Sequence, residues 1–390
     1  MNHHPVWGLA FRPFFLGGSL AGAMLVGYWA WAFFTGDLPT GYFDPINWHA
    51  HEMVFGFTIA IIAGFLLTAS ANWTRTKGVS GTKLILLFIV WLLGRLAMSL
   101  SMTELPIPYF VYALIDLSFI PFFIAVLAPS LFKARQFKNI QFVFVLGLME
   151  LGNLLMHLAS MEWIDYSFAG RGLYLGVNII LLILVVIGGR VVPFFTMNAL
   201  KNVEIHRYDF LDKAVVLSVC AYILVHFLDV DPKIAAWVSF VAFILNFAKL
   251  LIWKPWKTWQ QPLLWILHLG YMWIVIGFLL IFLTHYSDVL PMSVSIHAFT
   301  AGAMGTFIVG MMSRVSLGHT GRFLSLPKGF VVVYGLITLS GFIRVIFGFI
   351  PDYYNHGILA SGIFWVLSFT LFFAYYFRVL TTPRPDGRAG

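Results

Sequence analysis

Cysteine is nearly missing from this chain: Cys220 is the only one among 390 residues. That excludes an internal disulfide, cysteine-rich zinc or iron–sulfur sites, and a covalently attached c-type haem, which needs C-x-x-C-H. Charge is scarce too. Asp, Glu, Lys and Arg make up 10% of the residues, against about a quarter in a soluble domain. Apolar side chains fill the gap, at 60% of residues with a mean hydropathy of +0.88. A metal bound here must draw on histidine, methionine and carboxylate, and the chain has 12 histidines.

Apolar runs near the length that crosses a hydrocarbon core of about 30 Å recur from end to end. They predict an all-α, polytopic membrane protein of about twelve transmembrane helices forming a single domain over residues 1–390. The spans fall at roughly 13–34, 49–72, 83–101, 107–131, 140–160, 169–197, 211–228, 233–253, 262–284, 290–313, 329–350 and 356–379. Runs this long exclude a β-barrel, whose strands are short and alternate. The start, MNHHPVWGLAFRPFF, lacks a cleavable signal peptide, so the first span is expected to stay as an anchor.

Loop charge sets the orientation. Even-numbered loops carry Arg75, Lys77, Lys133, Lys138, Lys201, Arg207, Lys254 and Arg322, and the tail adds Arg384 and Arg388. Odd-numbered loops carry Asp37, Asp44, Glu104, Asp165, Asp229, Asp288 and Asp352, with Lys233 the main basic exception. Positive loops stay inside, so both termini are expected on the cytoplasmic side. This bias accounts for the net charge of +8, which is therefore no argument for a nucleic acid partner.

The stretch NWHAHEMVFGF, residues 47–57, places two histidines and a glutamate at the outer mouth of an uncharged span. Ionisable groups in such places usually face the bundle interior and act there. His51, Gly56 and Gly64 share the spacing H-x4-G-x7-G with His297, Gly302 and Gly310, a weak internal repeat. Imidazole suits both haem iron and copper, so His51 and His297 are the leading metal ligands. His49 and His51 project about 200° apart on an ideal helix, so either the helix serves two centres or Trp48-His49 is non-helical and places both near one. His49, Glu52 and Met53 share a helical face, which makes Glu52 a candidate to orient an imidazole or relay a proton.

Other buried groups call for partners. Arg95 and Asp116, in neighbouring spans, are expected to pair; Glu150, Asn153 and His157 share one face; Arg344 stays unmatched. On the basic side, Arg12, Arg190, Arg314 and Arg322 gather with His268 and His319. Arginine forks suit carboxylates such as haem propionates, and equally suit membrane lipid.

FRPFF, WHAHEMVFGF, the NWT after the second span, GGRVVPFFT, LHLGY and HAFTAGAMGTFIVGMMSRVSLGHTGR resemble the motifs of the NnrS family, bacterial inner-membrane proteins linked to nitric oxide. The resemblance runs from residue 8 to about residue 325. It implies a haem b- and copper-containing protein that handles nitric oxide and relieves nitrosative stress. It carries ligand roles only to His49, His51, His268, His297 and His319, and leaves His157, His226, His285 and His356 outside its motifs. His51 and His297 are the expected haem pair, with reduction of nitric oxide by quinol or another donor as the fullest form of the activity. A looser likeness to haem–copper oxidases and nitric oxide reductases lacks their adjacent His-His pair and H-x-x-x-Y helix. Two other classes compete: a haem or copper assembly protein, and a secondary transporter. A metal-free, colourless protein would favour the transporter.

Overall fold

The structure is a computed structural model that describes residues 4–287 and 290–387. Asp288 and Arg388 of the charge reading lie outside the described residues. Among the described residues no strand occurs, and twelve helices are long and apolar enough to cross a membrane. They are α1 Phe11–Thr35, α2 Pro45–Thr74, α3 Gly81–Leu100, α4 Tyr109–Lys133, α5 Phe137–Ser160 and α6 Ser167–Ala199. The second half comprises α7 Asp209–Phe227, α8 Pro232–Lys257, α9 Pro262–Ser287, α10 Met292–His319, α11 Val331–Phe349 and α12 Pro351–Thr381. The expected twelve spans and all-α class are both present. This is a multi-pass membrane protein.

Twelve crossings return the chain to its starting side. With basic loops retained inside, a reporter active only in the periplasm and fused after the last residue is expected to stay silent. Activity there would place NWHAHEMVFGF at the inner mouth of its span instead.

The chain divides into two compact units. Unit 1 is Met1–Gly176, Val315–Phe323 and Phe369–Gly390; unit 2 is Val177–Arg314 and Leu324–Ser368. In unit 1, α2 opens on an Asp44 cap whose Oδ1 accepts from the backbone N–H of Ile46 and Asn47, each at 3.0 Å, with Pro45 as first helical residue. An acceptor at the cap and a proline that lacks an N–H both suit a helix start. The α-helical turns end at His51, a π-helical segment runs Glu52–Thr58, and α-helix resumes at Ile59.

Unit 2 repeats this local form. The first turns of α10 end at His297, a π segment runs Ala298–Met304, and α-helix resumes at Gly305. The shared H-x4-G-x7-G spacing thus corresponds to a shared backbone form, with Gly56 and Gly302 each inside a π segment. Such segments are rare and are frequently found at functional sites. Unit 2 also holds an ion pair between buried Lys249 and half-buried Asp212, Nζ to Oδ1 at 2.9 Å. Arg344 finds a partner as well: its Nη2 donates to Tyr354 Oη at 3.1 Å.

Candidate metal centre

Within unit 1, charged and polar side chains from α2, α3, α4, α5 and the loop before α2 converge out of contact with solvent. His51, Glu52 and His157 are 0% exposed, Asp116 2% and Arg95 8%. Arg95 on α3 bridges two carboxylates: Nη1 donates to Glu52 Oε1 and Nη2 to Asp116 Oδ1. The expected Arg95–Asp116 pair is there, with Glu52 as an additional partner. Gly56 makes the approach possible, since a Cβ at that position would collide with the Arg95 guanidinium.

The far side of Asp116 carries the imidazoles. Asp116 Oδ2 lies 3.2 Å from His51 Nε2, 3.2 Å from His157 Nε2, and accepts from Asn153 Nδ2 at 2.9 Å. His51 Nε2 is also 2.9 Å from Asn153 Oδ1, and His51 Nδ1 is 3.2 Å from Glu52 Oε1. Tyr42, in the loop between α1 and α2, has its hydroxyl 2.9 Å from His157 Nδ1 and 3.2 Å from the His157 carbonyl. Burial, reinforced by the Asp116 charge, pushes the Tyr42 hydroxyl well above its usual range, so it stays protonated. Two imidazoles and a carboxylate meeting at one point are a donor set that fits a first-row transition metal. Among the described residues, His51, Asp116 and His157 are a group whose ligand atoms all lie within 4.8 Å of one another.

The sequence-predicted ligands are distributed unevenly. His51 is in this cluster. His49 points away from it, as the 200° separation required, and stacks on Trp29 with ring centroids 4.4 Å apart. Glu52 Oε1 contacts His51 Nδ1, although Glu52 follows His49 by three residues on backbone that is still α-helical. His319, in unit 1, packs its ring 5.8 Å from Phe11. In unit 2, His297 Nδ1 donates to Ser293 O at 2.6 Å, and His268 Nδ1 lies 3.0 Å from Leu264 O. The His297 bond places its ring proton on Nδ1, whereas His268 also meets the Trp253 carbonyl, so two carbonyls compete for its ring proton.

The basic-side arginines differ in employment. In unit 1, Arg12 Nη1 donates to the carbonyls of Leu380 and Thr382 at 2.9 and 2.8 Å, and Arg322 Nη2 to Thr382 Oγ1 at 2.9 Å. These two tie the C-terminal end of α12 to the chain. In unit 2, Arg314 lies 3.9 Å over the Phe195 ring, and His268 Nε2 is 3.5 Å from Thr196 Oγ1. The end of α6 that carries half-buried Arg190 therefore gathers Arg314 and His268.

Asp116, Asn153, His157 and Tyr42 are the cluster members not expected as ligands. His157 and Asn153 could have been found from their shared helical face with Glu150, a polar stripe on an otherwise apolar span. Tyr42 had no such signal, being a lone tyrosine in a connector. None of the curated proteins compared with this chain matches it. The family model described as "NnrS protein" matches residues 5–384, nearly the whole length, and the chain belongs to the NnrS family.

Proposed function

We propose that this protein relieves nitrosative stress in a bacterial inner membrane by taking nitric oxide from the bilayer to a buried metal centre in unit 1. The observation that carries this reading is the His51–Asp116–His157 cluster, a cation-seeking group of ligands inside an apolar helix bundle. The NnrS likeness supports nitric oxide as the substrate and haem b and copper as the cofactors. Nitric oxide is small and apolar, so a centre reached through lipid suits it.

Haem b is assigned to histidines outside the carboxylate network. His297 presents a suitable tautomer, and the α6 end that carries Arg190 meets Arg314 through Phe195 and His268 through Thr196, which makes these arginines the proposed partners for haem propionates. His49 and His319 are the remaining candidates, and Arg12 and Arg322 would meet propionates or lipid at the basic side of unit 1. When bound, haem and copper would supply redox-active metal to which nitric oxide binds. Glu52, with Oε2 buried and without a hydrogen-bond partner, is the residue proposed to carry protons to the site. Reduction to nitrous oxide would consume electrons from quinol or another donor.

Anaerobic nitric oxide consumption by the detergent-purified protein with a chemical reductant tests this directly, with nitrous oxide read by gas chromatography. The expected result is loss of nitric oxide by a coloured, metal-containing protein. Metal content without any response to nitric oxide would support haem or copper assembly instead. A colourless, metal-free protein from haem- and copper-replete cells would support transport.

A further inference from the structure

We propose that His51 Nε2, His157 Nε2 and Asp116 Oδ2 form a non-haem site for one first-row transition-metal dication, iron(II) or copper(II). This rests on the metal-centre part of the proposed function and names the ligands of that centre. It also moves His51 from the haem pair expected from sequence to a site of its own.

Hydrogen-bond accounting carries the argument. Asn153 Nδ2 donates to Asp116 Oδ2, which fixes the amide so that Asn153 Oδ1 faces His51 Nε2. His51 therefore meets only acceptors: Glu52 Oε1 at Nδ1, and Asn153 Oδ1 and Asp116 Oδ2 at Nε2. A neutral imidazole has one donor and one lone pair, so one of its nitrogens would face oxygen lone pair to lone pair. A cation at Nε2, either a proton or a metal ion, removes the conflict, with the Nδ1 proton donated to Glu52, and metal loading separates the two.

His157 meets no such conflict as a neutral imidazole, since Nε2–H can donate to Asp116 while Nδ1 accepts from Tyr42, but its contacts also allow the metal-binding tautomer. Tyr42 can donate to the His157 carbonyl and accept from Nδ1, leaving the Nε2 lone pair aimed at the same oxygen of Asp116. Metal-bound histidines almost always give their other ring N–H to a carboxylate, carbonyl or comparable acceptor. Here Glu52 and Tyr42 take that role for two imidazoles at once.

Distances agree with the chemistry. Both Nε2 atoms lie 3.2 Å from Asp116 Oδ2. Metal bonds of about 2.0–2.1 Å to nitrogen or oxygen set neighbouring ligand atoms roughly 3.0–3.4 Å apart. Arg95 engages Asp116 through the opposite oxygen, Oδ1, so it orients the carboxylate without occupying the metal side. Charge points the same way: Glu52 and Asp116 against Arg95 leave one negative charge in a buried place for a further cation, a metal ion or a protonated His51, to balance. Two histidines and one carboxylate with open positions are the donor set of non-haem iron(II) centres, and imidazole serves copper equally. The open positions are where a small diatomic ligand would bind.

The test uses the full chain, stripped of metal in detergent and reloaded anaerobically with iron(II) alone or copper(II) alone. Bound metal per chain is read by elemental analysis after dialysis against a weak chelator. Copper-loaded protein is read by EPR for nitrogen coupling from two imidazoles. Iron-loaded protein is read for a high-spin nitrosyl signal with nitric oxide as probe. Whichever ion is retained identifies the metal. Wild type is expected to hold one ion, and His157→Gln and Asp116→Asn to lose it. Tyr42→Phe, which removes one hydroxyl and leaves the packing, is expected to weaken binding by about 10–100-fold. Exposed His356→Ala is expected to bind as wild type does. Retention of the ion at wild-type affinity in both His157→Gln and Asp116→Asn overturns the ligand set. So does wild-type protein that takes up neither ion, the outcome for a hydrogen-bonded cluster only. A protein that loads the ion but ignores nitric oxide overturns the proposed function and leaves the ligand set standing.

Discussion

Replacing Arg95 with alanine is expected to lower the unfolding free energy of the detergent-solubilised protein by about 3–5 kcal/mol, the usual consequence of removing one partner from a buried ion pair. The guanidinium bridges Glu52 and Asp116, both shut off from solvent. Without it, two carboxylates face each other across a low-dielectric interior with only imidazoles to offset them. Arg95→Lys is expected to recover little, since a single ammonium cannot reproduce a fork that reaches two carboxylates at once. Arg95→Leu combined with Glu52→Gln and Asp116→Asn is expected to restore most of the stability, because no uncompensated charge remains. That triple variant would still lose bound metal, separating stability from ligation. A thermal unfolding series across these variants checks the ordering. An Arg95→Ala protein as stable as wild type would mean the bridge contributes nothing and its carboxylates are already neutral.

The helices and the charge pair were legible in sequence, but the convergence was not. Arg95 and Asp116 announced themselves because opposite charges in adjacent spans have few alternatives to pairing. His49 and His51 were correctly set on different faces, since two residues of α-helix turn by about 200°. Helix ends were less legible. The second span starts at Pro45, not near residue 49, because the Asp44 cap and proline begin the helix in polar sequence that hydropathy passes over. The tenth runs to His319, not to 313, carried through SRVSLGH by continued helical hydrogen bonding, with Ser313 and Thr320 bonding back to carbonyls four residues earlier. Glu52 was placed with His49 by the α-helical period, but its carboxylate reaches His51 and Arg95, contacts that a one-helix periodicity cannot give. No periodicity could show that His157, about a hundred residues from His51, shares Asp116 with it. That depends on how the helices pack.

That packing yields the other large effect. Replacing Gly172 with leucine is expected to disassemble the cluster from a distance. Gly172 on α6 and Gly152 on α5 both lie in unit 1, and their backbones touch. A Cβ at Gly172 would collide with the Gly152 carbonyl and also approach Leu155 Cβ at 3.1 Å and Met156 Cγ at 3.2 Å. A Cβ at Gly152 would in turn lie 2.7 Å from the Gly172 carbonyl. Backbone cannot swing aside as a side chain can, so the two helices must part. Close approach through small residues is the common means of helix association in membranes, and overpacking at such a contact costs about 1–3 kcal/mol. The consequence for the site is larger than that figure suggests. Asn153 follows Gly152 directly, and His157 lies about 7.5 Å further along the same helix at 1.5 Å per residue. Moving α5 draws both away from Asp116, which α4 carries, so the 2.9 and 3.2 Å contacts to Oδ2 open together. Gly172→Ala should show a weaker form of the same loss, and Gly147→Ala on α5, where a Cβ meets nothing within 4 Å, should show none. Metal retention and thermal stability measured across the three variants decide the matter. Undiminished metal binding in a folded Gly172→Leu protein would show that α5 does not hold the site in place.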